Sequence, residues 1–232
     1  MNFIGYQEHA AINTGNIDSS SSPAFVAVKG RLEINKPGSF YGLSYVLPIA
    51  KNKVTETWTI NNVAYQTNDL SYTLTSVDIY SGFTINKMIE PLFGFRISRG
   101  EQTREKFYVN NVRQSTGQSI ETINSLNLLL SLRGIRKIDE VNYGYSLEVL
   151  YPLNVLTTNT LLPAFGFSAA GTTIALKVNA GYQFSNNYFI KGEIGYRLIH
   201  YSGSGWTTQG PQQAQWPIND TQDLSVSAGL EF

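Results

Sequence analysis

Apolar and polar residues alternate with a period of two along most of this chain, the mark of extended strands with one greasy and one polar face. The C-terminal segment is the clearest case. From Asp223 to Phe232 the even positions (Leu224, Val226, Ala228, Leu230, Phe232) are apolar and the odd ones polar or tiny. The same alternation runs through Val26–Ile34, Leu126–Leu132, Tyr143–Tyr151, Ile174–Phe184 and Ile190–Leu198. It predicts ten strands, near 2–12, 24–34, 39–49, 70–85, 91–101, 119–135, 142–153, 172–184, 188–202 and 221–232. The first is the least regular, because Glu8 falls on its apolar parity.

The polar connections alternate in length. Asn35–Ser39, Asn86-Lys87-Met88, Lys137–Glu140 and Ser185-Asn186-Asn187 read as tight turns. The segments near 13–23, 50–69, 101–118, 154–171 and 203–220 read as long loops, with 54–66 able to extend its neighbouring strands. An even strand number with both termini at the short-turn end predicts one closed antiparallel barrel over residues 1–232.

Composition then narrows the class. Seventeen Lys+Arg balance 17 Asp+Glu in 232 residues, which argues against nucleic-acid binding. The absence of cysteine excludes a disulfide scaffold and a thiolate metal site. No apolar run approaches the roughly 18 residues of a membrane helix. Soluble and membrane barrels both alternate, so the question is which face is wet. Three features favour the membrane. Apolar-facing stretches of about ten residues match a tilted membrane strand. Aromatic rings sit near strand ends on the apolar parity, at Tyr41, Tyr143, Tyr151, Tyr182, Phe184, Tyr188 and Phe232, as headgroup girdles do. The charges on the polar parity come in both signs, which suits a cramped polar lumen. The low 15% charged fraction fits a surface that largely faces hydrocarbon.

On these features the whole chain resembles the bacterial outer-membrane β-barrel proteins, small and porin-like, with short periplasmic turns, long extracellular loops and periplasmic termini. The final strand, Leu224 to Phe232, is similar to the terminal aromatic signal read by the barrel-assembly machinery in that family. The resemblance implies membrane lipid and lipopolysaccharide as neighbours, a monomer and no cofactor. A secretory signal peptide is not visible: Met1-Asn2-Phe3 leads directly into a possible strand, which reads as a mature form with an added start Met.

By parity, Lys29, Arg31, Glu33, Asp78, Arg96, Arg133, Glu148, Lys177, Lys191, Glu193, Arg197, Asp223 and Glu231 face the lumen. A ten-stranded ring has a backbone radius of only about 10 Å, so these side chains form either a salt-bridged plug or a narrow small-solute conduit. Mixed signs predict no strong ion preference. Among the loops, Arg104, Lys106 and Arg113 form a modestly basic rim suited to lipopolysaccharide phosphates. Trp206 and Trp216 sit in an uncharged loop that either grips glycans, as an adhesin would, or anchors at the lipid boundary.

His200-Tyr201-Ser202 looks like the His-x-Ser motif of the outer-membrane lipid A deacylases, which implies His200 as base, Ser202 as nucleophile and Asp220 as the orienting carboxylate. Gly203 stands where that family has Asn, and ten strands are predicted rather than eight. An omptin-type protease also looks like a ten-stranded barrel, but it needs a His facing paired carboxylates, and the parity of His200 turns it outward. No nucleotide, metal or haem motif is present.

Overall fold

The structure, a computed structural model, describes residues 1–12, 15–85, 89–115, 117–185 and 188–231. Its strands are β1 (Asn2–Ile12), β2 (Gly15–Ser21), β3 (Ala24–Lys36), β4 (Ser39–Lys51), β5 (Val54–Ile60), β6 (Val63–Phe83), β7 (Ile89–Val109), β8 (Val112–Arg113), β9 (Ser119–Ile138), β10 (Val141–Asn159), β11 (Gly166–Ser168), β12 (Gly171–Ser185), β13 (Tyr188–Tyr201), β14 (Thr207–Gln209), β15 (Gln212–Ala214) and β16 (Ile218–Glu231). Ten of them close a ring by antiparallel pairing, in the order β1-β3-β4-β6-β7-β9-β10-β12-β13-β16 and back to β1. The fold is a single closed antiparallel transmembrane β-barrel, and each of its ten wall strands overlaps one predicted from alternation.

Much of what the sequence suggested as loop is strand. Residues 63–69, 101–109 and 154–159 continue their ladders, and β2 and β5 sit end-on above β3 and β4. The reason is backbone chemistry. N–H and C=O groups leaving the membrane still need partners, and the adjacent ladder supplies them at no extra loop entropy. The β5–β6 and β7–β8 hairpins turn through Asn61-Asn62 and Asn110-Asn111, all four with positive φ, the geometry that two-residue hairpins require. The predicted turn 86–88, positions 186–187 and Phe232 lie outside the described residues.

The outer face carries an apolar belt. Its upper edge runs through Phe3, Val26, Ile49, Val77, Ile97, Leu126, Leu156, Ile174, Leu198 and Leu224, and nearly all of these are exposed. A continuous ring of exposed Leu, Ile, Val and aromatic side chains is far larger than the patches water-soluble monomers tolerate, and hydrocarbon is the solvent that fits it. Tyr41, Tyr143, Tyr151, Tyr182, Phe184 and Tyr188 stand on this face, each about half exposed.

Above the belt the pattern reverses. On β6, even positions from Asn68 to Gly82 point inward. Below residue 75 in the barrel they include Ser76, Asp78 and Tyr80, the last packed with Phe40, Leu129 and Leu150, opposite outward Ile79. Above it they include Leu70, Tyr72 and Leu74. Ile4, Tyr6, Ile123, Val155, Ile199 and Tyr201 join them in one buried apolar cluster. Two loops fold into the same cluster and close it, bringing Phe165, Phe167 and Trp216. Phe165 and Phe167 stack with ring centroids 5.9 Å apart.

Candidate functional site

Inside the belt, charges span the lumen in networks. Arg96 is buried and holds Asp78 through Nε (2.6 Å) and Glu148 through Nη2 (3.2 Å), while Lys177 closes on the other oxygen of Glu148. Arg133 reaches Glu33 and Glu90, both at 2.5 Å, and lies over the Phe40 ring at 4.4 Å. Arg197 pairs with buried Asp223 at 3.4 Å, and Asn2 donates to the same carboxylate at 2.9 Å. Nearer the short-turn end, Lys29 meets Glu193 (3.7 Å), and Lys191 (3.4 Å) and Arg31 (3.8 Å) share Glu231. Glu90 was not singled out in the sequence, although it shares the even parity of Arg96 on β7.

A second cluster lies above the belt, and the sequence reading missed it. Arg104 is buried there among three buried carboxylates. Its Nε donates to Glu56 at 2.7 Å and its Nη2 to Glu8 at 2.8 Å, while Nη1 lies 3.6 Å from Glu121. Neutral groups complete the shell. Trp58 (3.1 Å) and Asn68 (2.8 Å) donate to Glu56, Trp216 Nε1 donates to Glu121 at 2.9 Å, and the Tyr6 hydroxyl donates to Glu8 while accepting from Asn219. Gln102, fully buried one residue pair from Arg104, has no hydrogen-bond partner on either amide atom among the described residues.

One guanidinium against three carboxylates leaves surplus negative charge in a dry interior. Burial pushes the Glu8 carboxyl up to about 7, against the pull of Arg104 and with the added repulsion of Glu121 and Glu56. Burial also pushes Glu56 upward, but Arg104 and the Asn68 and Trp58 donors outweigh it and hold Glu56 below its ordinary range. Burial disfavours the charged Arg104, and Glu8 and Glu56 more than reverse that, so it stays protonated.

Arg104 and Trp216 lie elsewhere than the sequence suggests. Arg104 is not on a basic rim, because inward parity on β7 carries it into the barrel. Trp216 does not face lipid or solvent, because its indole packs on Tyr201 (ring centroids 6.0 Å apart) and its N–H finds Glu121. Trp206 is exposed, as is Arg113, and Lys106 pairs with Asp69 at 2.8 Å on the outer face. The parity of Glu8 was the available signal. Sharing a face with Ile4 and Tyr6, it marks an apolar interior above the belt.

The three residues of the hydrolase resemblance meet only in part. His200 Nδ1 is 2.7 Å from Asp220, its register partner across β13 and β16, and both are partly exposed. Ser202 Oγ instead donates to the Ala170 carbonyl and accepts from the Ala170 N–H, both at 3.1 Å. That hydroxyl closes a backbone ladder rather than addressing the imidazole.

No protein-family model and no curated protein matches the chain. Among solved structures it is similar to the outer membrane protease OmpT from Escherichia coli, with a TM-score of 0.77, 9% identity, and coverage of 100% of this chain and 93% of that one. The translocator domain of the autotransporter NalP from Neisseria meningitidis and a FadL homologue from Pseudomonas aeruginosa match at a TM-score of 0.34, each with 9% identity. They cover 100% and 99% of this chain, and 88% of each of those chains. At 9% identity the OmpT match carries the outer-membrane barrel fold and nothing of its chemistry.

Proposed function

We propose that this protein is a closed outer-membrane barrel that holds its upper barrel and loops at the cell surface as a rigid contact platform. The observation that carries this reading is the filled interior. Ion-pair networks occupy the membrane zone, an aromatic cluster with two inserted loops sits above it, and the cavity between them measures about 20 Å³, room for one water. A conduit for small solutes needs a continuous wet path, which this packing does not favour. The termini and short turns then belong on the periplasmic side.

The partners follow from the surface. Lys51 and Lys53, which pair with Glu101 (3.7 Å) and Glu105 (2.5 Å), are with Arg99 and Lys106 the cations that would meet lipopolysaccharide phosphates above the belt. The terminal strand is the element for the barrel-assembly machinery, and the exposed Trp206 offers a ring for glycans. Planar-bilayer recording of refolded protein tests the closed barrel: no discrete conductance steps are expected, and reproducible steps would overturn it.

A further inference from the structure

A groove of about 510 Å³ opens on the outer wall where β1, β2, β5 and β16 meet. Its position is set by the β1–β16 register. Phe3 opposite Leu224 closes the apolar belt, and the next outward pairs, Gly5 with Gln222 and Gln7 with Asp220, form the groove floor. Gly5 makes the depression, since a Cβ there would meet Gln222 Cβ at 3.6 Å, an ordinary contact, and a larger side chain would fill the space. Across β2, Ser20 and Ser22 line the far wall, both exposed. The volume lies within the range of small-molecule sites, roughly 300–1,000 Å³.

The lining chemistry is selective. Apart from Gly5 and Val54 it consists of hydroxyls, amides and one carboxylate, Asp220, with no Lys or Arg among the described residues that line it. His200 holds Asp220 Oδ1 at 2.7 Å and so fixes the direction of the other oxygen. A phosphate gains nothing here and is repelled by Asp220. Pyranose hydroxyls suit it, because a carboxylate accepts charge-assisted hydrogen bonds from them and glutamine amides both donate and accept. The geometry points to a lateral site for the sugar headgroup of a membrane glycolipid, with its acyl chains descending over Phe3, Leu224 and Val26. A bilayer source is favoured because the groove begins one residue pair above the belt. The inference rests on reading the upper barrel as standing outside the bilayer, but not on the lumen being closed, so conductance and lipid retention fail independently.

The test is native mass spectrometry of the full chain in lauryldimethylamine oxide micelles, a detergent without sugar, with equal amounts of monoglucosyl diacylglycerol and phosphatidylglycerol. The wild type is expected to retain the glucolipid about tenfold over phosphatidylglycerol, and Gly5→Leu and Asp220→Asn to abolish that preference. Heat-modifiable gel migration reports folding of each variant, and Asp220→Asn preserves side-chain shape should Gly5→Leu fail to fold. Equal retention of both lipids, preference for phosphatidylglycerol, or unchanged preference in folded Asp220→Asn would overturn the site. Displacement by equimolar methyl glucoside would move the ligand from the bilayer to solution and overturn the lipid assignment.

Discussion

Below the belt's upper edge the outward side chains are apolar and the inward ones mostly polar or charged, beside one small apolar cluster of Phe40, Tyr80, Leu129 and Leu150. Above it, on the same strands, the inward side chains are mostly apolar and the outward ones polar. The two halves also differ in charge balance. Within the belt, seven cations (Lys29, Arg31, Arg96, Arg133, Lys177, Lys191, Arg197) meet seven carboxylates (Glu33, Asp78, Glu90, Glu148, Glu193, Asp223, Glu231). In the upper barrel Arg104 meets three. The membrane half is neutral because hydrocarbon around it would penalise any excess. The upper half stands in water, is built like a soluble barrel with a greasy centre, and its surplus negative charge helps burial to raise the Glu8 carboxyl.

The largest break in this contrast comes from Arg104→Met. It leaves three buried carboxylates with no cation, and the loss of one partner of a buried pair costs about 3–5 kcal/mol. Hydrogen exchange should rise in β5 and at the upper ends of β6 and β7 while the belt halves of β6 and β7 keep their protection. Uniform loosening of both halves would show that they are not separate units.

The inversion itself is tested by one charge at two outward positions. Leu130→Arg, on the belt face of β9, should cost about 2–4 kcal/mol in bilayer-based unfolding. Thr73→Arg faces water opposite Glu101 and should stay within about 0.5 kcal/mol. Equal costs would remove the boundary placed at residue 75.

The ten wall strands were legible because belt alternation is strong, and lumen charges such as Arg96, Arg133 and Arg197 fall on one parity with it. The upper barrel was not legible for the same reason. A single rule, apolar outward, was applied along strands on which the solvent changes partway. Glu8 on β1 looked like a defect, Leu70 and Tyr72 share the lumen parity of Asp78 although they are apolar, and Arg104 was assigned to a loop. Each follows once parity is read in two segments. The insertion of Phe165, Phe167 and Trp216 into the barrel has no local signal, since nothing in a loop's composition tells whether its aromatics point inward.

Glu8→Gln sharpens the contrast in charge. Burial raises the Glu8 carboxyl from an ordinary 4.5 to about 7, so the folded chain keeps a proton that the unfolded chain has lost in this window. Stability contributed by the protonated form is complete below about pH 4.5 and is lost as pH rises through about 7. Wild type should therefore melt lower at pH 8 than at pH 5, and Glu8→Gln should flatten that difference. An unchanged pH slope in the variant would place the titration on another group.

The smallest effect is expected at Ser202, where the two halves of the argument about catalysis meet. A nucleophilic serine needs its hydroxyl proton within reach of a base. The Ser202 hydroxyl gives its proton to the Ala170 carbonyl, and its oxygen receives the Ala170 N–H, so both its roles serve the closure of the ladder above β12 and β13. Ser202→Ala should cost about 1 kcal/mol, the net worth of a partly exposed hydrogen bond, read as a small drop in melting temperature. Lipid A incubated with either protein should keep its acyl chains, since the serine closes a strand junction. Acyl release by wild type that disappears in the variant would require the hydroxyl to leave Ala170 and turn to His200, and would make the His200–Asp220 pair part of a catalytic arrangement.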